Sequence, residues 1–306
     1  MWFRKLFFFL LLLTVNSFLH NVKDIGAPIF SKEIELWAKS DYETELFMNL
    51  IDSLKIPTEL QNSDWKSFAA EPRIAICTIC QGTVKAFLEL RRNGMSIENI
   101  QNKIIKLCVL LNIQTERVCQ GVVESNAPII MYIVDSKPNL TAGTICGVVL
   151  ESKACPLNDP EFEWNVNISN KSSVTIIEAD TKRETKILQL TDFHYDPMYE
   201  VNGNSDCGEP VCCRKGQNKT DTTSLAGYWG DYNSCDTPWH AITDSLSHIK
   251  DVHQDIDLIY FTGDVIDHGV WETSKEGNTQ SLRKIYNKIH DTFNNTVMYP
   301  ILGNHE

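Results

Sequence analysis

The chain has 306 residues, enough for two ordinary domains of roughly 100 to 200 residues each. Hydrophobic residues make up 42% of it and charged residues 22%, which is typical of globular proteins and excludes a disordered or fibrous chain. Its 28 Lys and Arg against 40 Asp and Glu give a net charge of -12, with no basic stripe that would neutralise a phosphate backbone. We therefore expect no nucleic-acid partner.

The first 20 residues have the layout of a secretory signal peptide. Arg4 and Lys5 precede an apolar run at residues 6–13, and small or polar residues follow it up to Ser17. The run is too short for a membrane span. It is also apolar on every face, without the amphipathic period of a helix that packs on a core. We therefore predict a signal peptide at residues 1–20 and a secreted and/or lysosomal protein.

Cysteines and glycosylation motifs favour the same compartment. The ten cysteines fall into a group of six and a group of four, so two disulfide frameworks are the natural interpretation. A zinc ribbon would need a second Cys-x-x-Cys to partner Cys77 and Cys80, and the sequence has none. Five Asn-x-Ser/Thr motifs, typical of glycoproteins, lie at Asn139, Asn167, Asn170, Asn218 and Asn294.

The segments that follow are predicted to be helical. Residues 21–71 form a helical pre-segment without candidate chemistry, and its clearest pattern covers residues 31–54. Between residues 72 and 156, one helix ends before Gly94, a second starts after Ser96 and a third begins near Thr115. Pro128 is expected to kink or break the third helix.

Six cysteines lie on these short helices, which bury little core and gain stability from crosslinks. Sequence alone leaves about fifteen pairings open. The cysteine order resembles that of saposin domains: a Cys-x-x-Cys pair, then Cys108 and Cys119, then Cys146 and Cys155. That resemblance implies contact with lipid and membrane surfaces and the pairs Cys77–Cys155, Cys80–Cys146 and Cys108–Cys119. A disulfide-linked helical spacer is the alternative, since any small core requires apolar helix faces.

Residues 157–185 are predicted to be a glycosylated linker, and residues 186–306 a second domain in which the pattern becomes strand-like. Apolar runs at residues 186–190, 258–261 and 297–302 predict three strands. Helical patterns separate them, one behind Thr237 and Pro238 as cap and first-turn residues and another at residues 282–293. This alternation predicts a mainly parallel sheet with right-handed crossovers.

Each predicted strand ends in polar residues that bind metals. They are Asp192 and His194 after the first strand, Asp264 and Asp267 after the second, and Asn304 and His305 after the third. The carboxyl ends of parallel strands meet at one edge of a sheet, where ligands bind. Carboxylate, imidazole and amide groups without thiolate suit hard or borderline divalent metals, and one central Asp bridges two cations about 3.5 to 4 Å apart in such sites.

This set resembles the calcineurin-like metallophosphoesterases. The strings at residues 207–213, 226–232, 235–236 and 270–271, behind a saposin-like segment, narrow the resemblance to the acid sphingomyelinase family. The resemblance implies two Zn²⁺ ions, with Asp192 and His194 on one, Asp264 bridging both and Asn304 on the second. It also implies that His305 protonates the leaving alkoxide and that His268 lies near the phosphate. Asp267 fits the wider superfamily pattern and stays outside the ligand set.

The family resemblance extends to the loop after the first strand. It implies the pairs Cys207–Cys212 and Cys213–Cys235, which are structural and not catalytic. The aromatic residues of this loop either pack in the core or form a wall for a choline-type headgroup through cation–π contact, and they are Tyr228, Trp229 and Tyr232. Four further histidines on or beside helices are expected at the surface: His240, His248, His253 and His290.

The resemblance to the metallophosphoesterase superfamily implies that further histidines from later loops complete the two-metal site, and this chain ends at Glu306. We therefore expect it to carry the first half of an active site. The predicted fold is α+β and multidomain: an all-α, disulfide-linked saposin domain and then the first half of an α/β metallophosphoesterase domain.

The predicted function is hydrolysis of sphingomyelin to ceramide and phosphocholine by a monomer at a membrane surface. One alternative is a sphingomyelinase-like phosphodiesterase that cleaves soluble nucleotides, which would not need a lipid-handling segment. The other is a non-catalytic, saposin-type lipid-binding protein, with which two tightly bound zinc ions would be incompatible.

Overall fold

The computed structural model of the chain describes residues 28–55, 70–150, 155–168, 184–217, 224–294 and 296–306. The chain divides into two compact units, Met1–Val166 and Asn167–Glu306. The predicted signal peptide lies outside the described residues, as do the sequon residues Asn170 and Asn218. Within the described ranges, no helix combines the length and the apolar character needed to cross a membrane.

The first unit is helical. Its helices are α1 (residues 28–40), α2 (Glu45–Leu54), α3 (Ala70–Arg92), α4 (Ile97–Leu110), α5 (Glu116–Ser136) and α6 (Ala142–Val149), and a short 3₁₀ helix follows at Pro160–Phe162. Ser96 and Thr115 cap α4 and α5, because each side-chain oxygen accepts a backbone N–H three residues later. Gly94 follows α3 with a φ of 92°, a conformation that favours glycine. These three boundaries agree with the prediction from the sequence.

Pro128 is expected to kink or break the helix, and a break is wrong, because α5 continues through the proline from Glu116 to Ser136. Proline removes the N–H that would bond the carbonyl of residue 124, and both Glu124 and Pro128 are exposed. Ala127, Met131 and Val134, which lie on either side of the proline along the chain, are buried. Packing on both sides of the proline therefore keeps the helix continuous.

The pre-segment helices contribute much of the core of this unit. Trp37 and Ile34 of α1 and Ile51 of α2 are completely buried. They belong to one cluster with residues of α3, α4 and α5, namely Ala86, Phe87, Leu90, Ile100, Leu107 and Met131. The sequence predicted helices here but assigned them no role, whereas in the structure they belong to the apolar core of the unit.

Three disulfides crosslink the first unit: Cys77–Cys155, Cys80–Cys146 and Cys108–Cys119. They are the pairs that the saposin resemblance implies. The start of the predicted linker also contacts this unit. Asp159 accepts a hydrogen bond of 3.1 Å from the Thr144 hydroxyl, and Glu161 pairs with Lys137. The chain therefore stays attached to the helices beyond residue 156.

The second unit contains a three-stranded parallel sheet in the order β1 (Ile187–Leu190), β2 (Leu258–Phe261) and β3 (Val297–Pro300). The register places Leu190 beside Phe261 and Phe261 beside Pro300. All three strands therefore end at the same edge, so the polar loops predicted from the sequence meet there.

Two helices cross over between the strands, α7 (Trp239–Val252) and α8 (Lys275–Thr292). Their buried residues share a core with the sheet, and this core includes Ile242, Leu246, Ile259, Phe261, Ile285 and Ile289. The expectation that Thr237 caps α7 is wrong, since Pro238 holds the cap position without a side-chain hydrogen bond. Thr237 instead donates its N–H to the His194 carbonyl and accepts the N–H of Asp196, both at 3.0 Å. It continues the pairing of the sheet beyond β1.

Candidate metal centre

Backbone hydrogen bonds align the loops that follow β1 and β2. The N–H of Asp192 donates to the Gly263 carbonyl and the N–H of His194 to the Asp264 carbonyl, both at 3.0 Å. Tyr195 continues the series by donating to Val265 at 2.7 Å. Asp192, His194 and Asp264 are therefore held at fixed positions by their own main chain.

Two glycines bring the loops after β2 and β3 into backbone contact. A Cβ placed on Gly263 would lie 2.2 Å from the Gly303 nitrogen, and one on Gly303 would lie 2.2 Å from Asp264 Oδ1. Neither position has room for a side chain. Because Gly303 is so close, the N–H of His305 reaches the Asp264 carboxylate at 3.1 Å. Asp264 thus lies between the second and third loops, as a bridging ligand must.

The three candidate ligands share an unusual backbone conformation. Asp192, His194 and Asp264 have φ values of 55°, 38° and 55°, in the left-handed region that non-glycine residues avoid. Such residues cost on the order of 1 to 3 kcal/mol each and cluster at functional sites, where the surroundings force them. Here the interstrand hydrogen bonds and the contact between the two glycines hold the three residues in this conformation. The strained backbone therefore indicates that these loops form a functional site.

The donor atoms of these residues fit a divalent cation. One ligand atom from each of Asp192, His194 and Asp264 lies within 4.8 Å of the others. His194 Nδ1 is 2.8 Å from the Ile266 carbonyl, which can only accept, so Nδ1 carries the proton and Nε2 presents a lone pair. Two carboxylates and an imidazole with its tautomer fixed in this way form a suitable donor set for Zn²⁺ or a similar ion.

Asn304, the fourth predicted ligand, lies between Gly303 and His305, and both of those neighbours contact Asp264. Its side chain is exposed. Glu306, two residues after Asn304, has a role that no sequence pattern indicated. The Glu306 carboxylate accepts the N–H of Asp264 at 3.1 Å, the N–H of Val265 at 2.6 Å and the N–H of Gly303. Glu306 thereby fastens the loop after β3 to the loop after β2.

Three imidazoles meet beside the carboxylates. The His268 ring lies 4.0 Å from the His194 ring and 4.6 Å from the His305 ring, measured between centroids. A hydrogen bond to Asp236 raises the pKa of His268 above its usual value. His305 Nδ1 is buried and has no hydrogen-bond partner among the described residues. The two residues predicted to act on the phosphoester therefore lie together, next to a predicted ligand.

Asp267 has structural partners instead of a place in the donor set. Its Oδ1 accepts the N–H of Gly269 at 2.8 Å and pairs with Arg214 at 3.3 Å. The buried Arg214 also binds Asp196 at 3.1 Å and pairs with Glu272. Burial raises the pKa of Asp196 to about 6, although Arg214 opposes the shift. The ion pairs of Arg214 were not predicted, because an isolated arginine after a cysteine belongs to no sequence pattern.

The loop between β1 and α7 contains two disulfides, Cys207–Cys212 and Cys213–Cys235, again the pairs that the resemblance implies. Of the two roles considered for the aromatic residues of this loop, packing in the core is wrong. Tyr228 and Trp229 are 56% and 58% exposed, and Tyr232 is fully exposed. Trp229, Tyr232, Asp231 and Asp236 line a cavity of about 360 Å³. The predicted surface histidines His248, His253 and His290 are exposed, whereas His240 is partly buried and bonds the Tyr228 carbonyl.

Comparison with known proteins assigns a class to this arrangement. Residues 185–306 match the calcineurin-like phosphoesterase family. The second unit is therefore a calcineurin-like phosphoesterase domain, a fold that works with divalent metals.

About three quarters of the chain is similar to sphingomyelin phosphodiesterases. It is 31% identical to "Sphingomyelin phosphodiesterase 1" of Caenorhabditis elegans over 240 residues, 76% of this chain and 42% of the relative. It is 29% identical to "Sphingomyelin phosphodiesterase" of Homo sapiens over 235 residues, 75% of this chain and 37% of the relative. A shorter match of 122 residues at 32% identity, 40% of this chain and 25% of the relative, is to "Acid sphingomyelinase-like phosphodiesterase 3b" of Homo sapiens. The matches to the first two span about two fifths of the length of each relative.

Proposed function

We propose that this protein hydrolyses sphingomyelin to ceramide and phosphocholine at a two-zinc site on the rim of its parallel sheet. One observation supports this most strongly: Asp192, His194 and Asp264 converge within 4.8 Å at the ends of adjacent strands. The relatedness to sphingomyelin phosphodiesterases supports the same substrate class.

In this proposal Asp192 and His194 bind one Zn²⁺, Asp264 bridges to a second and Asn304 contributes to the second. When bound, the two ions supply positive charge that polarises the phosphodiester and favours attack by water. Glu306 and the glycine contact hold the bridging carboxylate in place. The protein thereby fixes the charge distribution before substrate arrives, which is the usual origin of electrostatic catalysis.

His305 is proposed to be the general acid. Water adds to phosphorus, the bond between phosphorus and the ceramide oxygen breaks, and His305 gives its proton to that oxygen. The surplus proton of the attacking water passes to solvent and His305 takes a proton back from solvent, which balances the reaction and regenerates the acid. His268, kept beside His305 by Asp236, is proposed to contact the phosphate oxygens.

The exposed aromatic loop is proposed to receive the choline headgroup. Trp229 and Tyr232 provide ring faces that attract a quaternary ammonium, and Asp231 and Asp236 add negative charge around the same cavity. Asp236 connects this cavity to the metal centre through its hydrogen bond with His268. A headgroup bound there would therefore lie close to the histidines.

The first unit is proposed to be a saposin-like domain that binds lipid. An apolar cavity of about 220 Å³ lies among α3, α5 and α6, lined by Phe87, Leu88, Ile130, Met131, Val134 and Val149 among others. Apolar side chains of α5 and α6 are exposed nearby, including Ile129, Tyr132 and Val149. Exposed apolar patches of this kind mark membrane or partner contacts. The disulfides and the exposed sequon residues Asn139, Asn167 and Asn294 support a secreted or lysosomal location.

Two measurements test the proposal. Elemental analysis of the natural protein after dialysis against buffered zinc should find two bound zinc ions, and absence of zinc would favour the non-catalytic lipid-binding alternative. The natural protein, at whatever length its source makes it, should release phosphocholine from sphingomyelin vesicles faster than it hydrolyses nucleotide phosphodiesters. The reverse order of rates would favour the nucleotide phosphodiesterase.

A further inference from the structure

Asp236 makes two hydrogen bonds to a single histidine. Its Oδ2 accepts the backbone N–H of His268 at 2.7 Å, and its Oδ1 lies 2.7 Å from Nδ1 of the same ring. The Asp236 side chain is only 9% exposed, whereas the His268 ring is about half exposed. A buried carboxylate with both oxygens on one residue fixes that residue in position and in rotation.

The main chain around Asp236 is itself fastened to the metal loops. Cys235, the preceding residue, is bonded to Cys213, which is fully buried. Thr237, the following residue, exchanges backbone hydrogen bonds with His194 and Asp196 at 3.0 Å. Asp236 is therefore held from both sides, by a covalent crosslink and by the loop that carries a candidate metal ligand.

We infer that Asp236 is a positioning residue of the proposed phosphodiester site, which holds His268 with its proton on Nδ1 and leaves Nε2 available at the site. A carboxylate oxygen can only accept, so the ring nitrogen that faces it must carry the proton. Histidines at catalytic and metal sites are commonly oriented by such partners, and loss of the partner costs about 10- to 100-fold in activity or metal affinity. The effect of Asp236 on catalysis rests on the proposed function. Its effect on the orientation and tautomer of His268 does not.

The alternative is that Asp236 only anchors the loop through the backbone N–H of His268. The two roles differ in what happens to the ring. If Asp236 positions the imidazole, its removal changes the tautomer and the orientation of His268. If it only anchors the main chain, the ring keeps the tautomer that it would have in water.

The tautomer is measured directly by long-range ¹H–¹⁵N NMR of the metal-free chain near pH 9, where the ring is neutral. The His268 signals are assigned by their loss in His268→Gln. We expect the Nδ1–H tautomer in the wild type and a shift towards the Nε2–H tautomer in Asp236→Asn and Asp236→Ala. Asp206→Asn is the matched control, since Asp206 lies on the same loop, is exposed and does not line the proposed headgroup cavity. An Nε2–H tautomer in the wild type, or no change in either Asp236 variant, would overturn the inference.

The catalytic effect is measured in the natural protein. Asp236→Asn should lower kcat by about 10- to 100-fold, with a smaller rise in KM because the variant also removes a negative charge from the proposed headgroup cavity, and Asp236→Glu should recover part of the loss. Equal kcat values for Asp236→Asn and wild type would show that the orientation of His268 does not matter to the reaction. If the wild type does not cleave sphingomyelin, the proposed function fails, and the tautomer measurement still decides whether Asp236 positions His268.

Discussion

In the first unit the core residues are apolar, such as Trp37, Phe47 and Ile100, and disulfides crosslink α3 to α6 and α4 to α5. In the second unit a similar apolar core supports the sheet, but polar groups hold the loops above it. Arg214 binds three carboxylates, Asp236 holds His268 and Glu306 accepts three backbone N–H groups. Apolar packing and disulfides therefore define the helical unit, while the rim of the sheet depends on directional polar contacts that place each atom.

The largest effect that this comparison predicts is on metal binding. In the natural protein, Asp264→Ala should remove bound zinc, because in the proposed site this carboxylate would serve both ions, and it also anchors the His305 N–H. Elemental analysis after dialysis measures the loss. Asp244→Ala, an exposed position on α7, is the control and should retain the metal content of the wild type. Full zinc content in Asp264→Ala would place the metal elsewhere.

The next effect is on the apolar core of the first unit. Trp37 is completely buried and stacks on Phe47 with centroids 5.1 Å apart, so Trp37→Ala should cost about 3 to 5 kcal/mol of that unit's stability. Chemical denaturation followed by circular dichroism measures this change. Trp164→Ala, at a tryptophan that is 79% exposed, should change stability little. Zinc content should stay unchanged in both variants, and a loss of zinc in Trp37→Ala would mean that the metal site depends on the core of the first unit.

A smaller change is expected from His305→Ala in the natural protein. Turnover should fall by roughly 100-fold or more, the usual contribution of a positioned general acid, while zinc content stays near that of the wild type. Comparison with Asp264→Ala separates proton donation from metal binding, since only the latter variant should lose zinc. If both variants lose the same ion, His305 is a ligand and another group donates the proton.

The sequence predicts the elements of both units well, because apolar periodicity is a local signal. It identified the helices that begin after Ser96 and Thr115, the three strands and the polar loops at their ends. The break expected at Pro128 does not occur, because α5 packs on both sides of the proline. Thr237 does not cap α7, because its backbone pairs with His194 and Asp196 instead. Local pattern is reliable where no tertiary contact competes with it.

Contacts between distant polar residues were beyond prediction. Asp236 and His268 are 32 residues apart and Arg214 and Asp267 are 53 apart, with no period or motif to pair them. The core role of α1 and α2 was missed for a related reason: amphipathic helices show which face is buried but not what covers it. Candidate ligands are visible as residue types at strand ends, whereas the residues that position them become visible only when the chain is folded.

The smallest predicted effect concerns how α1 and α2 attach to α4. Asp41, which follows α1, pairs with Lys103 of α4, and Lys103 in turn lies 4.9 Å from the centre of the Trp37 ring. The hydrogen bond with Lys103 lowers the pKa of Asp41 below its ordinary value. Because the pair is exposed on the Asp41 side and screened by salt, Asp41→Asn should lower the melting temperature only slightly.

The pH dependence of that small difference identifies its origin. A carboxylate whose pKa is depressed on folding stabilises the folded state above its unfolded pKa of about 4 and loses this contribution as the pH falls through its lower folded pKa. The melting temperatures of wild type and Asp41→Asn should therefore differ equally at pH 7 and pH 5 and converge below pH 4. Asp52→Asn, whose partner Lys55 lies at the end of the same helix, is the control for a pair that does not reach α4. A difference that did not shrink as the pH fell below about 4 would mean that the Asp41 side chain acts through packing and not through its charge.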